Sequence, residues 1–210
     1  MRLLALCLLI VMTSSSCTFM PMRNVRTDPR AAFPEARPFG SAQSLPGDVP
    51  AAASDLRGAW LFRQTLSTDD PIFGGGRTFT NARFVALWLW LRNDGTYDIV
   101  YQAYSGARAL NSPSTRAIDV RESGRFSISG DSLSLEPETT RAVEVYQGSR
   151  QRRTLADEPR AYLARIDGGY LNLAGPCATY QIEPICREAA QVWFSMRSVS
   201  TGSPDDVPEP

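Results

Sequence analysis

The chain of 210 residues contains no histidine and no lysine, so all 22 of its basic side chains are arginine. Those absences remove Ser–His and Cys–His nucleophile pairs, imidazole metal ligands, Schiff-base chemistry and the lysine of a P-loop. Net charge is missing too, because 22 acidic residues balance the 22 arginines. A neutral chain has no field to hold a polyphosphate, and no nucleic-acid partner is expected. The adjacent carboxylates Asp69-Asp70 and Asp205-Asp206 diverge on an extended chain, whereas carboxylate-pair hydrolysis needs two groups fixed across a cleft. No catalytic residue, metal or cofactor is expected, and the chain reads as a non-enzyme. The longest apolar run is ten residues, Leu3–Met12, half of the roughly 20 that a membrane-spanning helix needs.

That run is nevertheless informative. Met1-Arg2 precedes it, and Thr13-Ser14-Ser15-Ser16 follow it before Cys17. A basic start, a short apolar stretch and small residues spell a secretory signal, residues 1–16. The small residues ahead of Cys17 resemble the lipobox of bacterial lipoproteins, with Ser14 where that pattern usually carries an aliphatic residue. The resemblance implies that Cys17 becomes the acylated N-terminus and anchors the protein to a membrane. Ser14-x-Ser16 also satisfies ordinary signal-peptide cleavage. Thr18 after the cysteine implies, by the same resemblance, the outer membrane of a Gram-negative cell.

Export places the remaining cysteines in an oxidising compartment. Cys177 and Cys186 are nine residues apart among the turn signals Gly175-Pro176 and Glu183-Pro184, and one disulfide closing a small loop is expected. Such a loop contributes about 2–3 kcal/mol in the chain-entropy view. A metal or redox pair is the alternative. Two thiolates without histidine make a poor zinc site, and the spacing is not Cys-x-x-Cys.

From 17 to 54 the chain carries Pro21, Pro29, Pro34, Pro38, Pro46 and Pro50 without sustained periodicity, which reads as a disordered linker. Residues 201–210 read as an acidic, proline-rich tail of the same kind. Between them, 55–200 is patterned almost entirely at period two. The strands predicted are Arg57–Leu66, Arg83–Arg92, Thr96–Tyr104, Gly124–Ser129, Ser132–Glu136, Ala142–Gln147, Arg160–Ile166, Tyr170–Ala174 and Gln191–Val199. Asn93-Asp94-Gly95, Gly130-Asp131 and Asp167-Gly168-Gly169 join three of the pairs with residues that tolerate positive φ, as short hairpin loops require. Eight or nine strands linked this way predict an all-β, antiparallel up-and-down barrel, since closure removes the exposed edges.

Gly58-Ala59-Trp60 opens the first predicted strand and Arg197 stands near the end of the last. This is similar to the lipocalin pattern of Gly-x-Trp on the first strand and an arginine from the last. Leu91-Arg92-Asn93-Asp94-Gly95-Thr96-Tyr97 resembles the hairpin of bacterial lipocalin-like domains. The resemblance covers most of 55–200 and implies a calycin-type barrel. Its floor would be built by Gly58, Trp60 and Arg197, the guanidinium lying on the indole in a cation–π contact of about 0.5–2 kcal/mol. It also implies a lid after the first strand, where Gly74-Gly75-Gly76 supply a hinge, and a small hydrophobic ligand in the barrel mouth.

Phe84–Leu91 is apolar on both faces. Trp88 and Trp90 alternate with Leu87, Leu89 and Leu91, and only one set can enter a barrel. The other needs cover from a flanking segment, the linker, the lid, a partner or a bilayer surface. Two functions follow. One is an outer-membrane-anchored carrier of a small hydrophobic ligand. The other is a filled barrel whose apolar strand, around Trp88, Leu89 and Trp90, docks an envelope protein partner or the membrane face. Arg150-Gln151-Arg152-Arg153, the densest basic cluster, reads as a solvated hairpin loop.

Acylation at Cys17 makes a direct prediction. The wild-type protein should fractionate with outer membranes and Cys17→Ala should move to the soluble envelope fraction; a wild-type protein that is soluble would mean ordinary cleavage after Ser16.

Overall fold

The computed structural model describes residues 37–40, 43–71, 78–109, 112–181, 186, 189–200 and 202–209. They form ten strands: β1 (Arg37–Pro38), β2 (Gly58–Pro71), β3 (Thr78–Leu91), β4 (Thr96–Ala109), β5 (Ser112–Ser129), β6 (Ser132–Tyr146), β7 (Ser149–Thr154), β8 (Arg160–Asp167), β9 (Tyr170–Gly175) and β10 (Val192–Val199). Neighbours pair antiparallel in the order β10-β2-β3-β4-β5-β6-β8-β9, and β9 pairs β10 to close the ring. The fold is therefore the expected all-β closed barrel, with eight strands in the ring. Short β1 pairs with the first residues of β10, Val192 and Trp193, while the start of β2 pairs with its last, Arg197–Val199. β7 adds to the upper part of β6, at Arg141–Tyr146, while β8 takes its lower part, at Ser132–Leu135.

The three hairpin signals act as expected. Gly95, Gly130, Gly168 and Gly169 all have positive φ. The Asp94 carboxylate accepts from the Thr96 hydroxyl at 2.6 Å and the Thr96 amide at 2.9 Å, and these bonds hold it below its ordinary pKa. A fourth hairpin, at Gln147-Gly148, also uses positive φ at both residues and turns β6 into β7. β7 occupies the Arg150–Arg153 cluster that reads as a loop in sequence; all six of its residues are exposed. It carries no apolar alternation to betray it. The first half of β5 and the middle of β6 are likewise strand. Two separate strands predicted over 132–147 are one strand, bent by a bulge where Ser123 pairs Thr139 and Gly124 pairs Pro137.

Inward side chains alternate as a barrel requires. Phe62, Leu89, Val120, Leu133, Leu171 and Met196 are among those at most 2 % exposed in one continuous core. A 3-10 turn, Ala53–Leu56, closes one end: Leu56 is fully buried, and the Asp55 carboxylate accepts from the Ala51 and Ala52 amides at 2.8 and 3.1 Å.

Two segments differ from the compositional reading. Part of the linker packs on the barrel. Leu45 is buried, Asp48 exchanges main-chain bonds with Ile166 at 2.9 and 3.0 Å, and Phe39 bonds to Gln191. The C-terminal segment 202–209 is also ordered along the wall, with a 3-10 turn at Pro204–Asp206 and Val207 buried. Composition counts apolar side chains, whereas this segment is held mainly by its carbonyl oxygens.

Gly124 is where β5 and β6 approach too closely for a side chain: a Cβ there would lie 2.1 Å from the Glu136 carbonyl oxygen. Gly124→Ala should lower stability by about 1–3 kcal/mol, seen as an earlier urea midpoint.

Candidate functional site

Inside the barrel, β5 and β8 bring two charges together. Arg160 pairs with Glu122 through Nη2 and Oε1, with side chains 6 % and 1 % exposed. The same carboxylate oxygen accepts from the Tyr97 hydroxyl at 2.7 Å. The guanidinium lies 5.8 Å from the centre of the Tyr180 ring and donates to the Glu158 carbonyl at 3.2 Å. Glu122 Oε2 and Arg160 Nε are buried without a hydrogen-bond partner among the described residues. Burial, reinforced by the Glu122 charge, raises the pKa of Tyr97 and of Tyr180, and burial raises Tyr162. Burial works against the Arg160 charge, but Tyr180, Tyr162 and Glu122 outweigh it and push its pKa up. The cluster thus offers fixed donors facing a carboxylate.

The mouth above it is occupied. Cys177 and Cys186 form the expected disulfide, with Cα atoms 5.6 Å apart. On the loop they brace, Ala178 and Tyr180 enter the core and Gln181 is buried, its Oε1 accepting from the Ala178 amide at 2.7 Å. Thr140 donates to Asp157 at 2.8 Å, drawing the β7–β8 loop across the same end. Between this loop and the core lies a cavity of about 20 Å³, bordered by Arg160, Tyr162, Tyr180 and Gln181 and by apolar side chains including Leu89 and Phe194. That is room for about one water molecule.

The outer wall carries the second feature. Register resolves the two-faced strand: Leu87, Leu89 and Leu91 point into the barrel, while Trp88 and Trp90 pair outward with Leu61 and Ala59. Leu89 is therefore a core residue, 2 % exposed, and not part of an outer contact surface. The Trp90 indole is covered within the chain. Trp90, 7 % exposed, packs with Ala59, Val100 and Val207, and its Nε1–H donates to the Gly202 carbonyl at 2.7 Å. Trp88 is half-buried. Higher on the strand, Arg63 lies over the Phe84 ring at 5.0 Å.

Beside the C-terminal segment opens a cleft of about 810 Å³. Its lining includes Arg121, Arg141, Arg152 and Arg153 together with Asp98, Asp119, Asp205 and Glu209. The Asp98 pKa is raised by burial, with Asp205 adding to the effect and Arg92 opposing it.

Of the other residues singled out in sequence, Trp60 is buried at the closed end, its Nε1–H donating to the Leu56 carbonyl at 2.8 Å. Gly58 has φ +132° at the start of its strand. Arg197 is exposed and stands opposite Leu61, with Ser198 opposite Trp60. Cys17 and Gly74–Gly76 lie outside the described residues. Among the described residues, no cluster of three or more cysteine and carboxylate side chains could hold a metal ion. Glu122 and Arg160 carry no motif; their one signal is a charge at an inward position of a period-two strand. No protein-family model, curated protein or solved structure matches this chain.

Breaking the buried pair leaves a charge without compensation. Glu122→Leu or Arg160→Met alone should cost about 3–5 kcal/mol, and the double variant should recover at least half of that. Urea denaturation of the four proteins measures the coupling.

Proposed function

We propose that this chain is a non-enzymatic, lipocalin-like lipoprotein, held at the outer membrane through Cys17, that works as a filled interaction module docking a protein partner. The observation that carries this reading is where the space lies. Among the described residues, the barrel interior is packed around a cavity of about 20 Å³, far below the roughly 300 Å³ at which small-molecule pockets begin. The larger opening, about 810 Å³, is on the outer wall and is lined by opposite charges. Such a surface discriminates between partners by charge complementarity. The last part of the linker is seated on the barrel, with Leu45 and Pro50 buried.

A second reading, a carrier of a small hydrophobic ligand, draws on the mouth. The cavity lies directly beneath the disulfide-braced loop and is bordered by Leu87, Leu89, Phe194 and Met196, so a ligand would take the place now filled by Tyr180. Native mass spectrometry of protein purified from its own envelope separates the two. The interaction module should show the mass of the acylated chain with the disulfide closed and no small-molecule adduct; a stoichiometric amphiphile on the barrel would establish the carrier instead.

A further inference from the structure

Residues 202–209 are bound to the wall as a peptide ligand is bound to a groove. Four carbonyl oxygens spaced along the segment each meet a side-chain donor. Trp90 Nε1 reaches Gly202 at 2.7 Å, and Arg121 reaches Pro204 at 3.1 Å and Val207 at 2.5 Å. Gln102 reaches Pro208 at 2.6 Å. The donors are themselves fixed: Asp119, 1 % exposed, accepts from Gln102 at 2.9 Å and from Arg121 at 3.2 Å. One apolar side chain, Val207, enters the cluster of Ala59, Trp90 and Val100. One carboxylate, Glu209, pairs with Arg150 and lies 3.8 Å from Arg152.

This shares its chemistry with the recognition of proline-rich segments, in which an indole N–H and other fixed donors read main-chain carbonyls and a few side chains set the choice, although here the segment is shaped by a 3-10 turn at Pro204–Asp206. Here Pro204 and Pro208 bracket the segment, Val207 is its anchor and Glu209 its charge. The segment also prepares its own shape, since the Asp206 carboxylate accepts from the Ser203 amide at 2.6 Å and the Ser203 hydroxyl accepts from the Asp205 amide at 3.3 Å. None of these features requires that the ligand belong to the same chain. They require a proline-flanked acidic stretch with an aliphatic residue ahead of its second proline.

We propose that the outer wall formed by Trp90, Val100, Gln102 and Arg121, with Arg150 and Arg152 at its end, is a recognition groove for proline-flanked acidic peptide segments. The chain's own residues 202–209 occupy it in cis and yield it to such a segment of a partner protein. This rests on the reading of the barrel as an interaction module and names the partner's chemistry. The tethered segment competes at an effective concentration on the order of millimolar, so a partner captures the groove only when its segment is abundant or held nearby. The segment thus sets the threshold for docking.

The test uses the full chain and a labelled synthetic peptide of residues 202–209. Val207→Asp loosens the resident segment without removing it and should raise affinity for the wild-type peptide about tenfold or more over the unaltered chain. Adding Arg121→Ala should take about tenfold away again, because two carbonyls lose a charged donor. Trp90→Phe, which keeps an aromatic ring but loses the N–H and part of the apolar contact, should weaken binding by more than its lowering of the thermal transition accounts for. The proposal is overturned if the folded Val207→Asp chain binds no better than the unaltered one, or if a scrambled peptide binds equally. It is overturned also if Val207→Asp and the gentler Val207→Ser both abolish cooperative unfolding, for then the segment is a structural part of the barrel. A full chain that sediments as a dimer and dissociates on Val207→Asp would make the occupant a second copy and end the cis assignment. Failure of any of these leaves the interaction module standing; that reading falls only on the native mass.

Discussion

A strand that is apolar on both faces must be covered twice, and β3 imposes that condition on the whole molecule. Its leucines demand an interior, which the closed ring supplies. Its outward tryptophans demand an exterior cover, which the chain supplies for Trp90 from residues far away in sequence. At about 25 cal/mol per Å² of apolar surface removed from water, neither face can stay bare without a large cost to a marginally stable fold. Closure of the sheet and wrapping of the C-terminal segment are thus answers to one constraint, given on opposite sides of the same eight residues.

Much of the architecture was legible before any coordinates. Period-two alternation marks strands where one side is buried, and glycines at positive φ mark the hairpins, so the order β3-β4, β5-β6 and β8-β9 follows from Asn93-Asp94-Gly95, Gly130-Asp131 and Asp167-Gly168-Gly169. The pattern fails where its physical basis is absent. β7 is exposed on every residue and has no hydrophobic alternation to display. The middle of β5 places Asp119 and Arg121 beneath the C-terminal segment and Glu122 inside the barrel, so charge masks a stretch of strand that is largely buried.

The two charged features were hidden for a related reason. Glu122 and Arg160 are 38 residues apart, and nothing local says that an inward glutamate will find a guanidinium. The C-terminal segment reads as disordered because its composition cannot bury enough apolar surface by itself. It is seated because another part of the chain provides donors for its carbonyls, a property of the main chain that composition does not record. The disulfide was legible for the opposite reason: two cysteines in a chain without histidine make a poor metal site, and Cys177 and Cys186 sit on either side of a turn.

β6 carries one more implication. Along one edge its lower residues pair with β8 and its upper residues with β7, while Glu136–Thr140 between them pair with neither strand. The ladder therefore has a seam at mid-height, and the Glu122–Arg160 pair spans it from the inside. A sheet interrupted in this way need not open as one cooperative unit. The ring below the seam, closed on itself, should retain its amide protons longest, and the open sheet above it should breathe separately. The protein then combines a rigid base near the Trp60 floor with an upper wall free to adjust.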